Sequence, residues 1–255
     1  MAGSNSPARV TIVFHNYYGG HVTWVKWFCE QITVPFDLCY NMVGDSFFNQ
    51  EEPQDILNRM RDASIGTPAR KIILRRSPNQ GKDIGGKLVL LDAVLREKLD
   101  SDYHIFLHDK KSPHKVLGQQ WQEKLFRIVS PAFVEKALDL FDKDEKLGLV
   151  AASDSLQNEY DPSRASFIST NAPLLTELKA AYRLNNDDYR YVAGTMFWAR
   201  SAPMLRFFRN YPPLQIRSTL EKGNVLDEKA GSRTHSWERL FSWLIFAQGY
   251  TLSAI

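Results

Sequence analysis

The chain has 255 residues, of which 44% are hydrophobic and 12% aromatic, so it can bury a sizeable core, and this composition argues against disorder. Its 32 basic and 29 acidic residues give a formal net charge of +3, which is too balanced for a general nucleic-acid binder but leaves room for a local anion-binding pocket. The two cysteines, Cys29 and Cys39, lack CxxC spacing, and we expect two core thiols in a reducing compartment.

The first half of the chain alternates strands with helices. The predicted strands are short apolar or alternating runs, and the predicted helices show apolar residues at helical spacing. In chain order the predictions are strand 10–14, helix 21–32, strand 36–43, helix 53–61, strand 71–74, helix 87–99 and strand 103–107. The alternation predicts an α/β fold with a doubly wound, mostly parallel sheet flanked by helices.

The second half is less regular. We predict strands at 147–152 and 191–198, a polar loop at 153–169, and helices at 117–129, 131–141, 172–184, 202–209 and 235–250, the last ended by Gly249 as a C-cap. No repeat, low-complexity tract or linker is present, so we expect a single domain over 1–255 with a flexible N-terminus at 1–8. No apolar run of about 18 residues predicts a membrane span, and no signal peptide is recognised, so we expect a cytoplasmic protein.

Three polar loops follow predicted strands. They read "HNYYGGH" after the first strand, "NQGKDIGG" after the third and "HDKKSPH" after the fourth. Ligands of doubly wound sheets bind outside the carboxyl ends of the strands. We therefore expect the three loops to line one rim, where their glycine, lysine and histidine content suits a phosphate.

The "HDKKSPH" segment suggests diphosphate binding. A diphosphate is neutralised either by a divalent metal on carboxylates or directly by cationic side chains. A single carboxylate, Asp109, makes a poor metal cage, so Lys110 and Lys111 fit better as direct partners. His108 and His114 lie beside them. The alternative is a solvated turn, which is what most charge runs are.

The glycines of "NQGKDIGG" would let the backbone approach a ligand closely, and the following helix N-terminus would attract an anion. The segment matches neither GxGxxG nor a P-loop, and a helix-capping turn is an equal alternative. Asp83 would accept a hydrogen bond from a base or a ribose hydroxyl, or serve as a plain N-cap.

Two later segments are candidates for the sugar side of a site. In "AGTMFWAR", Gly194 and Thr195 interrupt an apolar strand, either as a bulge or to leave room for a sugar, with Trp198 or Phe197 as an apolar face. In "RTHSWERLF", Glu238 lies in the first turns of a helix, where the dipole stabilises its anion. It would suit a general base if it faces a cleft, and ordinary helix capping is the alternative.

Taken together, these segments resemble the rhamnan-synthesis F family of bacterial polysaccharide-assembly glycosyltransferases. Family segments read roughly N-R-G-R-D-I-G, H-x-K-K-S and A-G-T-M-F-W-x-R, with H-x-x-E-R near the end. The matching stretches occur here in the same order, over residues 10–250: "FHNYY", "VPFDLCYNMV", "NQGKDIGG", "HDKKSPH", "AGTMFWAR" and "HSWERLF…GY".

The resemblance implies a GT-A-like fold, a nucleotide-sugar donor and transfer to a growing surface polysaccharide or lipid-linked glycan. The implied partners are the nucleotide sugar and the glycan or lipid-linked acceptor, with no nucleic acid; peripheral association with the inner face of a membrane is left open. In that fold the fourth strand typically ends in Asp-x-Asp, which holds a divalent metal. "HDKKS" stands here instead, so no cofactor is assigned, and Mn²⁺ or Mg²⁺ on Asp109 is left open.

The resemblance also implies roles for residues. Glu238 would be the base of a single inverting displacement, and a dTDP-β-L-rhamnose donor would then give an α-linked rhamnosyl product. The expected site residues are, for the diphosphate, Lys110, Lys111, His108 and His114; for the nucleotide, His15, Tyr17, Asn79, Gly81, Lys82 and Asp83; and for the sugar and acceptor, Gly194, Thr195, Trp198 and His235.

Two other classes of protein are weighed against a transferase. The first is a non-catalytic nucleotide-sugar or glycan-binding module of a polysaccharide-assembly complex, against which the retention of Glu238 and the lysine pair argues. The second is a Rossmann-type dinucleotide enzyme, which the absence of GxGxxG after the first strand disfavours.

Overall fold

The computed structural model describes residues 7–109, 126–226 and 230–255. Elements are numbered in chain order within these ranges. The strands are β1 Val10–Asn16, β2 Phe36–Val43, β3 Ala69–Ser77, β4 Tyr103–His108, β5 Leu147–Ala151, β6 Leu156–Asn158, β7 Tyr160–Asp161, β8 Ser166–Phe167, β9 Arg190–Val192, β10 Phe197–Arg200 and β11 Thr251–Ala254. The helices are α1 His21–Gln31, α2 Pro53–Ala63, α3 Lys82–Arg96, α4 Pro131–Lys143, α5 Ala172–Ala181, α6 Ser201–Asn210, α7 Pro213–Ser218 and α8 Arg233–Phe246.

The central sheet has seven strands in the order β11-β5-β10-β4-β1-β2-β3. Strand β10 runs antiparallel to both of its neighbours, and every other neighbouring pair is parallel. The predicted α/β fold, with a mostly parallel sheet flanked by helices, is confirmed. Two small antiparallel sheets of two strands each, β6 with β9 and β7 with β8, stand outside this sheet.

The sheet is covered on both faces. Every residue of β1, β2 and β4 is buried, as expected for central strands between two helical layers. Along β1, Val13 packs into the layer that includes α3, α6 and α8, whereas Ile12 and Phe14 pack into the layer that includes α1, α2 and α4. This alternation places helices on the two faces of one sheet and makes the structure a single α/β unit.

Helix α3 begins earlier than its apolar pattern predicts. The periodicity indicates a start at Lys87, but the helix starts at Lys82, directly after Gly81, which has a left-handed φ of 73°. The polar residues of the first turn conceal this start from a hydrophobic pattern. As a result, Asp83 and Lys87 lie one turn apart on the same helix rather than in a loop and a helix.

The predicted strand at 191–198 is wrong as a single element. Strand β9 ends at Val192 and pairs with β6, whereas β10 begins at Phe197 and pairs with β4 and β5. Gly194 and Thr195 between them have φ values of 79° and 52°, which no extended strand contains. The apolar run hides this turn because its residues are buried on both sides of the break.

Several smaller differences separate the predicted elements from the observed ones. The loop predicted at 153–169 contains β6, β7 and β8, and neither α7 nor β11 was predicted. Helix α8 ends at Phe246, and Gly249 (φ 79°) lies in the turn before β11 instead of capping the helix. Residues 1–6 of the predicted flexible terminus, and 117–125 of the predicted helix at 117–129, lie outside the described residues. Within the described chain, no helix is long and apolar enough to cross a membrane.

Candidate functional site

The candidate site lies at the carboxyl ends of β1 and β4. These strands are neighbours, with His15 opposite His108, and β2 and β3 extend the sheet on the far side of β1. Strand order therefore reverses between β1 and β4, which is where α/β sheets open a crevice for ligands. The turn that precedes β10 reaches the same edge, because Phe197 at the start of this antiparallel strand pairs with Phe106.

A fully buried lysine occupies the centre of this edge. Lys87 is 0% exposed. Its Nζ donates to Asp83 Oδ2 at 3.0 Å and to the Thr195 carbonyl at 2.8 Å, contacts Thr195 Oγ1, and lies 3.2 Å from His108 Nδ1. Burial of an ammonium group is costly unless the group is paired and hydrogen-bonded. Lys87 meets this requirement by joining α3, β4 and the turn before β10.

Asp83 is held as an ionised carboxylate. Its Oδ2 accepts from Thr195 Oγ1 at 2.6 Å and from Lys87, and lies 3.5 Å from His108 Nδ1. Burial raises the pKa of Asp83, but nearby His108 and Lys87 and the Thr195 hydroxyl outweigh it and hold the pKa well below its usual range. The side chain is 24% exposed, and Oδ1 makes no hydrogen bond with the described residues.

Two glycines of the "NQGKDIGG" segment, Gly85 and Gly86, lie in the first turns of α3 and make close contacts inside the protein. A Cβ atom on Gly85 would overlap the Gln80 carbonyl, and one on Gly86 would overlap the His15 ring. Gly85 and Gly86 let the first turn of α3 pack against its own loop and against β1. Close approach of this segment to a ligand stays a prediction.

His15 lies on β1, and its ring packs against Gly86 of α3. It is buried, and its Nδ1 lies 3.0 Å from Asn41 Nδ2 on β2. Burial lowers the pKa of His15 to about 4, so the imidazole is neutral near pH 7. His15 is predicted to bind the nucleotide, but its ring is almost completely buried and Gly86 packs against it.

Glu238 faces the turn before β10. The Gly194 N–H donates to Glu238 Oε1 at 2.6 Å, and Arg239 Nη1 donates to Oε2 at 2.6 Å. Arg239 is itself held by Glu159 Oε2 at 2.9 Å and lies over the Tyr191 ring. These contacts fix the orientation of the carboxylate, of which 20% remains exposed.

The predicted nucleotide and acceptor residues Lys82 and His235 meet. Lys82 Nζ lies 3.4 Å from His235 Nε2, and His235 Nδ1 lies 2.8 Å from Ser232 Oγ. The same Ser232 oxygen accepts from the His235 N–H and caps α8. The N-termini of α3 and α8 thus come together beside the Asp83 cluster.

Asp109 clamps the loop that follows β1. Its Oδ1 accepts from the Tyr17 N–H at 2.7 Å, and its Oδ2 accepts from the Tyr18 N–H at 2.7 Å and from Asn16 Nδ2 at 2.8 Å. Within the described residues, no group of three His, Cys, Asp or Glu side chains could hold a metal. Metal binding by Asp109 stays a prediction, and Lys110, Lys111 and His114 lie outside the described residues.

Two further predicted nucleotide residues lie at the rim. Asn79 ties the loop before α3 to its surroundings, because its N–H donates to Asp45 Oδ1 at 2.8 Å and its Nδ2 donates to Asn224 Oδ1 at 3.1 Å. Tyr17 packs edge-on against Tyr18, with ring centroids 4.9 Å apart. Gly81 starts α3, as described above.

Trp198 does not belong to the site. It is completely buried in the layer that contains α1, α2 and α4, and its indole N–H donates to the Ile128 carbonyl at 2.8 Å. A side chain without exposed surface offers no face to a sugar. The expectation for Trp198 is therefore wrong, because β10 is an inner strand of the sheet and both of its faces are covered by core layers. Its neighbour Phe197 is also fully buried, in the opposite core layer.

Sequence reasoning missed Lys87, the most connected cation of the described site. A signal was present: a lysine four residues after an aspartate, followed on the same helix face by the apolar Leu90, Leu91 and Val94. In the sequence, Gly86 is one of three glycines in the "NQGKDIGG" segment. Its packing against His15 becomes apparent only when β1 and α3 are placed together.

The fold and site define a GT-A-like α/β protein with a polar cluster at the carboxyl edge of the sheet. The family model of rhamnan synthesis protein F matches residues 2–250, which is nearly the whole chain. The protein belongs to this family, and membership places it in rhamnan and polysaccharide biosynthesis. A search of curated protein sequences finds no significant match.

Proposed function

We propose that the protein is an inverting glycosyltransferase that moves rhamnose or a similar sugar from a nucleoside diphosphate to a growing surface polysaccharide or lipid-linked glycan. One observation carries the proposal: in a rhamnan-synthesis chain, Asp83, Lys87, His108 and Thr195 converge in hydrogen-bonding distance where the strand order of the sheet reverses.

In this proposal Glu238 is the general base. It takes the proton of an acceptor hydroxyl while that oxygen forms a bond to the anomeric carbon of the donor. The bond from this carbon to the diphosphate breaks, and its electron pair leaves with the nucleoside diphosphate. A carboxylate has about four lone-pair sites, so the contacts to Gly194 and Arg239 leave capacity for the acceptor hydroxyl.

The leaving diphosphate would be stabilised by Lys110 and Lys111, with His108 and His114 beside them. Fixed charges aimed at the developing negative charge are often the largest contribution to such a step. The position of His108 at the end of β4 supports this assignment, since the lysines follow it almost directly. Asp109 is the candidate for a metal-dependent alternative, and its hydrogen bonds from Asn16, Tyr17 and Tyr18 favour the lysines.

The donor nucleotide would lie against the loop and first turn of α3, contacting Asn79, Gly81, Lys82 and Asp83, with Tyr17 and the covered His15 nearby. The sugar and acceptor would be shaped by Gly194, Thr195 and His235. The meeting of Lys82 with His235 supports placing the two groups side by side.

The first test is a thermal-shift and calorimetry panel of UDP, dTDP, GDP and their sugars, each with Mn²⁺ or with EDTA. A ligand that binds the native state raises the melting temperature with the logarithm of its saturation. We expect one nucleotide family to bind with EDTA present, and its sugar to be slowly hydrolysed to the nucleoside diphosphate. Binding only with Mn²⁺ would assign a metal to the site.

Two results would contradict the proposal. If no nucleotide or nucleotide sugar binds, the protein does not use a nucleotide-sugar donor and the proposal is rejected. Binding without any turnover, in the presence of a lipid-linked glycan extract as acceptor, would instead indicate a non-catalytic nucleotide-sugar-binding module.

A further inference from the structure

We infer that Lys87 is a positioning residue that fixes Asp83 so that Asp83 Oδ1 binds a hydroxyl group of the nucleotide-sugar donor. The inference rests on the proposed function and deepens it, because it names the acceptor atom and the chemical group that this atom recognises. The hydroxyl belongs either to the pentose or to the transferred sugar.

The two oxygens of Asp83 have different surroundings. Oδ2 is bound by Lys87 Nζ and by Thr195 Oγ1, whereas Oδ1 has no hydrogen-bond partner in the described part of the chain. An ionised carboxylate only accepts hydrogen bonds, so a ligand atom at Oδ1 must be a donor. A hydroxyl bound to a charged carboxylate forms one of the stronger hydrogen bonds in proteins. The 24% exposure of the side chain gives a ligand access to it.

Lys87 acts through Asp83 and not on the ligand itself. An ammonium group has three N–H donors, and Lys87 has four polar atoms of Asp83, Thr195 and His108 around Nζ. With none of its side chain exposed, it cannot contact a bound donor molecule. What it determines is where the Asp83 carboxylate lies and that its charge is retained.

A second pair on the same helix contrasts with this arrangement. Arg96 and Asp92 have the same i,i+4 spacing on α3, but the Arg96 side chain is 71% exposed and their contact is an ordinary surface ion pair. A buried pair is a poor source of stability, since an apolar replacement is often neutral or stabilising. Burial of Lys87 is therefore better explained by placement of Asp83 than by stability.

The backbone conformation of Thr195 is independent evidence that this cluster is a functional site. Thr195 is β-branched and has a φ of 52°, a left-handed conformation that such residues rarely adopt. Strained residues persist when their surroundings determine them and they concentrate at functional sites. Here the strain brings both the carbonyl and the hydroxyl of Thr195 to Lys87 Nζ.

The test is a double-mutant cycle measured by calorimetry with dTDP-β-L-rhamnose and with dTDP, or with the matching pair if another base binds. Asp83→Asn and Lys87→Met should each weaken nucleotide-sugar binding by about 10- to 100-fold, because a charge-assisted hydrogen bond is lost or misplaced. The double variant should bind no more weakly than Asp83→Asn alone, since the two changes remove one interaction. The control Arg96→Met should bind within about twofold of the wild type.

The two ligands distinguish the source of the hydroxyl. An equal loss for dTDP and dTDP-β-L-rhamnose places it on the pentose, and a loss confined to the nucleotide sugar places it on the transferred sugar. Unchanged binding by Asp83→Asn, or losses that add in the double variant, would overturn the inference while leaving the proposed function in place. A wild type that binds no nucleotide of the panel would remove both.

If Lys87→Met does not fold, the threonine serves for the same measurement. Thr195→Ser retains the hydroxyl that donates to Asp83 Oδ2 and should bind the donor more tightly than Thr195→Val. Thr195→Val removes this hydroxyl at nearly constant shape and should weaken binding. Equal affinity of the serine and valine variants would overturn the inference.

Discussion

The carboxylates of Asp83 and Glu238 accept hydrogen bonds from two adjacent residues of one turn, Thr195 and Gly194. Thr195 Oγ1 donates to Asp83 Oδ2, and the Gly194 N–H donates to Glu238 Oε1, each at 2.6 Å. Asp83 lies in the first turn of α3 and Glu238 on α8, so the turn before β10 sets the relative position of two carboxylates that are far apart in sequence. A displacement of this turn would move the proposed donor-binding group and the proposed base together.

The base assignment predicts a separation of binding from turnover. Glu238→Gln should lower transfer by about 10²- to 10⁴-fold, the usual contribution of a general base, because an amide cannot take the proton. Donor affinity should change by no more than about twofold, since Glu238 is assigned to the acceptor hydroxyl and not to the donor. Initial rates and calorimetry measure the two quantities. The control is Glu135→Gln, on the exposed face of α4, and undiminished turnover by Glu238→Gln would reject the base.

The packing of Gly86 predicts a destabilised Gly86→Ala variant. Alanine in a helix interior is normally favoured over glycine by about 1 kcal/mol, so any loss must come from the overlap of its Cβ with the His15 ring. We expect a net loss of about 1–3 kcal/mol in the free energy of unfolding, measured with urea. Gly86→Ala with His15→Ala should lose less than the sum of the single variants. A Gly86→Ala variant more stable than the wild type would contradict this packing.

The Asp109 contacts predict a structural role that needs no metal. Asp109→Asn should lower the free energy of unfolding by about 2–3 kcal/mol in the presence of EDTA, because an amide nitrogen would face an N–H donor of the clamped loop. Asp142→Asn, an exposed change on α4, is the control. A different pattern, with no loss in EDTA but loss of a Mn²⁺-induced thermal shift, would make Asp109 a metal ligand.

Two buried histidines predict acid sensitivity. Burial lowers the pKa of both His15 and His104 to about 4, and neither ring nitrogen of His104 has a hydrogen-bond partner among the described residues. The unfolded chain takes up protons below pH 6.5 while the folded rings stay neutral, so stability is retained above pH 6.5 and falls as the pH decreases towards 4. Linkage gives about 2 kcal/mol for each histidine between pH 7 and pH 5.

Substitution of His104 isolates its share of this effect. His104→Leu, which fills the same apolar site without a titratable ring, should flatten the decline in unfolding free energy between pH 7 and pH 5 by about 2 kcal/mol. Urea unfolding at several pH values measures the slope. A variant with the slope of the wild type would show that His104 is not the group that titrates.

Most strands and the loops between them could be predicted from sequence because their signals are local. The apolar runs of β1, β2 and β4 stand out between polar segments, and the order of strands and helices predicts the parallel sheet. The location of the site followed as well, because loops after parallel strands meet at one edge. These segments contain the predicted site residues Asp83, Thr195 and Glu238, and the structure brings them together at the turn before β10.

The contacts that define the site were decided only by the tertiary structure. Lys87 meets Thr195 across 108 residues of sequence, so nothing near Lys87 reveals its partner. The break between β9 and β10 and the burial of Trp198 depend on which strands lie alongside, which an apolar run does not encode. The sequence by itself determined most elements of the first half and the edge of the sheet where their loops converge. Long-range packing decided which side chains are exposed there and which carboxylate oxygen remains open to a ligand.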